Sequence, residues 1–110
     1  MEKPVAQVYE FDGFRLDAHD LLLEREGEPL HIPRKALELL VLLVRDSGRV
    51  LDKETLFAAL WPDTVVEESN LTQNVYVLRK ALGARPNQTP YIETVPRGAD
   101  RLLPHVGVGE

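Results

Sequence analysis

Polar side chains recur opposite an apolar stripe between residues 69 and 82. The apolar residues stand at i, i+4, i+7 and i+11 and would share one face of a helix: Leu71, Val75, Leu78 and Leu82. At about 100° per residue, the opposite face carries Gln73, Tyr76, Val77 and Lys80, flanked by Thr72 and Arg79. Glutamine can bond both hydrogen-bonding groups of an adenine edge, lysine and arginine can reach guanine or phosphate, and threonine or valine can touch a thymine methyl. Duplex DNA is therefore one ligand that suits this face.

An ordinary solvated helix surface has the same pattern. Most amphipathic helices of soluble proteins carry polar side chains opposite their buried stripe. Periodicity alone slightly favours this plainer interpretation, so other features have to decide between the two.

The sequence contains no recognisable catalytic or metal-binding motif. It has no cysteine, and His19, His31 and His105 are too far apart in sequence to form a metal-ligand pair. Glycine patterns of phosphate-binding loops, dinucleotide sites and nucleophile elbows are missing as well. We therefore predict no enzyme activity, no cofactor and no metal.

Charge is unevenly distributed along the 110 residues. The net charge is −5, which argues against a general nucleic-acid binder. Residues 1–68 carry eight basic and fifteen acidic side chains, a balance of −7, whereas residues 69–110 carry five basic and three acidic ones, a balance of +2. The C-terminal part thus has the sign that an anionic ligand requires, although the asymmetry is modest.

The first third predicts an antiparallel meander of four short strands. Alternating residues indicate strands at 8–11, 14–16, 21–25 and 29–32. Asp12-Gly13 is a strong two-residue hairpin signal, and Glu26-Gly27 marks a further turn. One face of such a sheet needs cover from the rest of the chain.

Three helices are predicted after Pro33. The first runs from about Arg34 to Ser47-Gly48 and is apolar over most of its surface, so it should be central. The second has Asp52 as its N-cap and runs to about Trp61.

The third predicted helix is the one that carries the polar face. It begins at Ser69 or Asn70, with Gln73 three residues after Asn70 as in a capping box, and Gly83 stands at its C-terminal cap.

A hairpin is predicted after the third helix. Residues 91–95 and 101–103 form its strands around a turn at 96–98. Two short helices, a longer amphipathic helix and a hairpin follow the order of a winged helix-turn-helix. We predict one domain over residues 1–106, with 107–110 as a flexible tail or the cut end of a longer chain.

Residues 8–95 resemble the OmpR/PhoB-type winged-helix family, especially its ToxR- and CadC-like members with an N-terminal DNA-binding domain. Six ordered stretches carry the resemblance: YEFDGFRLD (9–17), GRVLD (48–52), LWPD (60–63), VEESNLTQNV (66–75), LRKALG (78–83) and YIETVPR (91–97). So many matches in order are far more specific than one short motif.

The resemblance implies an α+β fold and a set of DNA-facing residues. The fold is a winged helix-turn-helix with an N-terminal four-stranded antiparallel sheet, three helices and a C-terminal β-hairpin wing. The third helix, at about 69–82, would enter the major groove of duplex DNA as the recognition helix of a bacterial transcription regulator. Family positions that face DNA fall on Thr72, Gln73, Asn74, Tyr76, Val77 and Arg79, and Lys80 joins them from the helix periodicity. Phosphate contacts would fall on Trp61, Thr94 and Arg97.

The wing departs from the family pattern. After residue 97 the family usually continues with a second arginine and then Gly-Tyr-Arg-Phe, but this chain has Gly98-Ala-Asp-Arg-Leu-Leu103. Arg101 keeps its expected position and is included among the DNA-binding residues. The missing aromatic residue removes a core and backbone contact, and Asp100 places a negative charge near the phosphates.

Segment 62–68 and Trp61 each allow two interpretations. The acidic segment 62–68 meets RNA polymerase in some family members, but Glu67 and Glu68 also suit a plain helix-capping turn. Trp61 is either a phosphate contact or a core aromatic, and its apolar body and single polar atom allow both.

A protein-interaction module with little DNA affinity is the alternative function. The net charge, the sparse basic residues on the third helix and the altered wing favour it. DNA binding ranks ahead of it, and catalysis ranks last. If DNA is the ligand, a homodimer or tandem pair on DNA is expected, because one small module contributes limited interface. The expected location is the cytoplasm, either free or as part of a longer or membrane-anchored regulator.

Overall fold

The computed structural model arranges the chain as a sheet, three helices and a hairpin. It describes residues 8–46, 48–83, 85, 91–95, 99–102 and 107–109, with backbone alone for 94–95, 99–102 and 107–109. The elements in chain order are β1 (Val8–Phe11), β2 (Phe14–Asp17), β3 (Leu22–Arg25), β4 (Glu28–Pro29), α1 (Arg34–Arg45), α2 (Lys53–Leu60), α3 (Glu68–Leu82), β5 (Ile92–Val95), β6 (Ala99–Leu102) and β7 (Gly107–Gly109).

The first four strands form the predicted antiparallel meander. The strand order in the sheet is β4-β3-β2-β1-β7, and Tyr9 lies opposite Leu16, which in turn lies opposite Leu23. Asp12 and Gly13 both have positive φ, of 48° and 85°. Positive φ at both central residues is what a type I′ hairpin turn requires, so the predicted Asp12-Gly13 hairpin is confirmed.

Several strand bounds differ from the prediction: β2 extends to Asp17, β5 begins at Ile92, and β6 covers Ala99–Leu102 instead of residues 101–103. The fourth strand covers Glu28–Pro29 instead of residues 29–32. One further hydrogen bond, from the N–H of Leu30 to the carbonyl of Leu23 at 2.8 Å, follows the strand in the same register. Leu21 lies outside β3 in a turn, with φ of 53°, a value that non-glycine residues seldom adopt.

Helix α1 is central, as its apolar composition predicts. Its buried residues lie on most of its surface: Ala36, Leu37, Leu39, Leu40, Val41, Leu43 and Val44. They share one core with β1–β3 and with the buried faces of α2 and α3. Among the described residues, no helix is long and apolar enough to cross a membrane.

Helix α2 begins at the predicted cap, whereas α3 does not. The Asp52 carboxylate accepts a hydrogen bond from the Thr55 N–H at 2.8 Å. Helix α3 begins at Glu68 with Glu67 as its N-cap and no side-chain cap bond. The predicted capping box of Asn70 and Gln73 is therefore wrong: Asn70 lies inside the first turn and donates its side-chain amide to the Glu67 carbonyl at 3.3 Å.

The C-terminal strands form a hairpin and an added sheet edge. Strands β5 and β6 pair antiparallel, with Glu93 opposite Arg101 and Thr94 opposite Asp100. Residues 107–109, which we predicted as a flexible tail, form β7 and pair with β1, Val8 lying opposite Gly109. This strand pairs through backbone hydrogen bonds. Because its sequence is rich in glycine, it has no alternating pattern of side chains from which a strand could be predicted.

Candidate nucleic-acid interface

Helix α3 is held by one face and open on the other. Its four stripe residues are all buried in the shared core: Leu71, Val75, Leu78 and Leu82. The predicted site residues that are exposed on it are Thr72, Gln73, Tyr76 and Lys80. A helix gripped by its apolar face with polar groups free on the other is the arrangement that major-groove reading requires.

Ser69 belongs to the same exposed stripe, and sequence reasoning missed it. With the helix begun at Glu68, Ser69 falls within the sector of about 100° that Thr72, Gln73, Tyr76 and Lys80 span at the helical period. Its exposure agrees with this placement. The residue was overlooked because a serine before an apolar run is also a typical N-cap. We define these five residues as the open stripe.

Tyr76 and Lys80 are neighbours on the open stripe. The Lys80 Nζ lies 5.7 Å from the centre of the Tyr76 ring, within the range of a cation–π contact. Tyr76 is 54% exposed, so its ring is an unusually large apolar surface for a solvated position. The pair offers one cation, one hydroxyl and one ring face to a ligand.

Asn74 and Val77 lie at the edges of the stripe. Asn74 is half-buried, and its side-chain Nδ2 donates to the Asn70 carbonyl within the helix at 2.8 Å. Val77 is half-buried and packs against the core. Neither projects as freely as Gln73.

Arg79 joins α3 to the hairpin. Its Nε donates to the Ile92 carbonyl at 3.2 Å, and the side chain is half-buried. Ile92 itself is fully buried at the start of β5. The structure therefore gives Arg79 a bracing contact between the two elements that the winged-helix prediction assigns to DNA.

Trp61 has the mixed environment that its two interpretations require. It follows the last residue of α2, is half-buried, and packs on Phe57 with the ring centres 5.7 Å apart. The Nζ of Lys35 lies 5.7 Å from the indole and donates to the carbonyl of Leu60 at 2.9 Å. Lys35 thus satisfies a carbonyl at the end of α2 and fixes the ring, a role that its position in the sequence did not reveal.

The starts of α2 and α3 are tied by an ion pair. The Lys53 ammonium bonds the Glu68 carboxylate. A carboxylate in the first turn also suits the helix dipole of α3. The pair links the starts of the two helices and partly neutralises the acidic segment before the open stripe.

In the predicted wing, the hairpin of β5 and β6, the structure describes only the backbone of residues 94–95 and 99–102. Thr94 lies in β5 and Arg101 in β6, so both stand in the two-stranded hairpin. Arg97 lies outside the described residues. Within the described ranges, no group of three or more histidine and carboxylate residues is placed to hold a metal ion.

A family model decides what this arrangement is. The model described as "Transcriptional regulatory protein, C terminal" matches residues 27–98, which include all three helices and the start of the hairpin. The chain belongs to this family. The predicted OmpR/PhoB-type membership is confirmed, and the family is one of transcription regulators.

Individual members of the family support the same conclusion. The transcriptional regulator HilA of Salmonella typhi is 36% identical over 85 residues, 77% of this chain. The transcriptional activator CadC of Escherichia coli is 32% identical over 82 residues, 74% of this chain. The solved DNA-binding domain of E. coli CadC matches with a TM-score of 0.80 at 27% identity, covering 94% of this chain and 97% of that one.

The match in fold confirms the winged-helix prediction. The chain spans only 15% of the length of HilA and 16% of that of CadC. It therefore corresponds to one module of these regulators.

Proposed function

We propose that this domain binds a specific sequence of duplex DNA, with α3 in the major groove. The observation that carries the proposal is the open stripe on a helix whose opposite face is clamped in the core. Membership of a transcription-regulator family supports it, as does the likeness to a solved domain that is named as DNA-binding.

Base recognition falls to the exposed part of the open stripe. Gln73 is the best placed to bond an adenine edge with its amide, and Thr72 to touch a thymine methyl. Lys80 reaches guanine or phosphate from the next turn, and the Tyr76 ring beside it restricts where the ammonium can go.

Residues on either side of α3 in the sequence are proposed to contact phosphates and to orient the domain on the duplex. Trp61 would contribute its indole N–H, and the resemblance to the family assigns the other phosphate contacts to Thr94 and Arg97, with Arg101 beside them in sequence. Arg79 acts mainly by fixing the hairpin against α3, since its Nε is already bonded to Ile92. Asn74 and Val77 are expected to contact DNA only at the edge of the helix.

Further partners follow from the same proposal. One small module buries limited DNA surface, so two copies on neighbouring half-sites are expected. Segment 62–68 is exposed for most of its length and is the proposed contact for RNA polymerase. We expect no catalytic activity, no cofactor and a cytoplasmic location, where the chromosome of a bacterium is accessible.

Salt dependence of duplex binding tests the electrostatic part. The logarithm of the association constant should fall linearly with the logarithm of salt concentration, with a slope of about 0.9 per phosphate contacted. Lys80→Gln should reduce this slope by about 1 if the ammonium contacts a phosphate. Arg49→Gln is the matched control. Arg49 is an exposed basic residue that pairs with Asp46 and lies outside the proposed interface. Equal slopes for all three proteins would mean that Lys80 contacts no phosphate.

A protein-interaction module remains the second candidate. It is favoured by the net charge of −5 and by the half-buried position of Arg79, which leave few free cations for DNA. It predicts no salt-dependent retention of any duplex, so the same titration separates the two functions.

A further inference from the structure

A cleft of about 320 Å³ lies where α1, the end of α2 and the turn between β2 and β3 meet. Its floor is apolar: Leu21, Val41, Leu42 and Leu60. Val41 and Leu60 are buried whereas Leu21 and Leu42 are half-buried, so apolar surface continues from the core to the opening. The volume is near the lower limit of small-ligand sites.

Two arginines of α1 stand at the ends of this cleft. Arg34 and Arg45 are the first and last residues of the helix, both exposed, and eleven residues of helix bring them back to the same face roughly 16 Å apart. Glu38 is the acidic residue among the described lining positions, and its carboxylate is already bonded to Arg34 at 3.1 Å and to Lys35 at 2.9 Å. With two arginines and one glutamate, the described lining carries a net charge of +1, and Arg34 has Glu38 as an intramolecular partner.

The loop between α2 and α3 has the complementary pattern. Val65 is 99% exposed, more than any other large apolar residue that the structure describes. Asp63 and Glu67 flank it two residues away on each side, and both are exposed. Four residues of chain reach at most about 14 Å. Val65 thus lies, in sequence, midway between two carboxylates whose Cα atoms are at most about 14 Å apart, and the long arginine side chains have to bridge the rest of the roughly 16 Å.

We propose that the 62–67 loop of one copy docks into this cleft of a second copy. Val65 enters the apolar floor, and Asp63 and Glu67 pair with the arginines at the two ends. The contact joins two different surfaces of the same chain, so it is heterologous. It does not depend on DNA, and it goes beyond the proposed DNA-binding function.

The small size of the contact sets its strength. A loop tip in a cleft covers far less than the roughly 1,200 Å² of a stable interface. Association in free solution is therefore weak, in the high micromolar to millimolar range, and it strengthens where a shared ligand holds two copies together. Exposed ion pairs also make it sensitive to salt.

Concentration-dependent chemical shifts of the ¹⁵N-labelled domain up to about 1 mM measure this association directly. Val65→Asp and Arg45→Asp should each weaken it about fivefold or more, because the first places a carboxylate against the apolar floor and the second places one opposite the carboxylates of the loop. Val50→Asp and Arg49→Asp are matched controls, since both residues are exposed and neither lines the cleft. The controls should associate like the original protein.

Mixing the two interface variants provides the decisive step. The Val65→Asp protein keeps an intact cleft, and the Arg45→Asp protein keeps an intact loop. Each should associate more weakly alone than the original protein does, whereas an equimolar mixture should regain a one-to-one contact, seen as shifts at the loop of one and the cleft of the other.

Three results would overturn the proposal. The first is no concentration dependence in the original protein up to the same limit. The second is a mixture that behaves as the sum of its two components. The third is unchanged self-association in Val65→Asp together with lost retention by RNA polymerase, which would assign the loop to that partner instead.

Discussion

The guanidinium of Arg79 and the carbonyl of Ile92 join α3 to β5 through a hydrogen bond of 3.2 Å from Nε to oxygen. The bond lies between the helix that carries the open stripe and the first strand of the hairpin. Because Ile92 is fully buried, its carbonyl would otherwise have poor access to water. The bond thus adds a polar link between helix and wing to the packing of Tyr91 and Ile92 in the core.

Arg79→Ala should therefore act on affinity more than on base preference. Losing a charged donor to a poorly solvated carbonyl should lower the free energy of unfolding by about 1–2 kcal/mol. The misplaced hairpin should weaken binding to all duplexes by a similar factor. Urea denaturation and anisotropy on two unrelated duplexes measure both effects. A selective loss on one duplex would instead make Arg79 a base-reading residue. Lys80→Ala is the control for stability: Lys80 is exposed, so its substitution should leave the free energy of unfolding unchanged.

Trp61→Phe separates the two roles of the tryptophan. A phenylalanine keeps the packing on Phe57 and the contact with Lys35 but lacks the indole N–H. Losing one hydrogen bond to a charged phosphate should weaken binding about tenfold, on every duplex alike. Near-ultraviolet circular dichroism checks that the end of α2 is intact. Unchanged affinity would make Trp61 a packing residue alone.

Much of the fold was predictable because local chemistry and burial agree. Asp12-Gly13 has the residue types that its turn needs, Asp52 caps α2 as expected, and the leucine stripe of α3 is the buried one. At these positions the pattern of residues is sufficient, since a single local interaction or periodicity decides the outcome.

The predictions from sequence were wrong or incomplete where tertiary contacts or backbone hydrogen bonds determine the structure. Asn70 has the residue type of a cap, but the chain enters α3 two residues earlier, where Lys53 holds Glu68. Strand β7 pairs through its backbone, and glycine gives no periodic signal. The position of Arg79 against Ile92 depends on how the hairpin returns to α3, which no short window of sequence contains.

The cap of α2 predicts a specific acid sensitivity. Hydrogen bonds from Thr55 lower the pKa of Asp52 below its ordinary value of 3.8. The folded state therefore favours the carboxylate, so this stabilisation is fully present above pH 3.8 and is lost as the pH falls through the lowered value. Asp52→Asn keeps an acceptor for the cap but has no proton to gain. Its unfolding free energy should fall less steeply in acid than that of the original protein, and parallel curves would contradict the assignment.

Tyr91 predicts an alkaline sensitivity. Burial raises the pKa of Tyr91 above its ordinary 10.0, and the Asp12 carboxylate raises it further by charge and hydrogen bonding. The folded state then favours the neutral phenol, so this stabilisation is present below pH 10 and is lost as the pH rises through the raised value.

Tyr91→Phe tests this assignment. The substitution keeps the edge-on packing against Phe11 and Phe14 but loses about 1 kcal/mol of stability near neutral pH. It should also flatten the alkaline decline, measured as unfolding free energy between about pH 9 and 11. An equally steep decline in the variant would mean that another group is responsible.

Selection from a pool of random duplexes, followed by sequencing, tests the central claim most directly. The original domain and Gln73→Ala should be selected in parallel at two salt concentrations. The account predicts an enriched motif for the original domain, weaker retention at higher salt, and for Gln73→Ala a motif that is relaxed at one position with the rest preserved. No enriched motif and no salt-dependent retention would contradict DNA reading by α3. An identical motif from both proteins would contradict the role of Gln73.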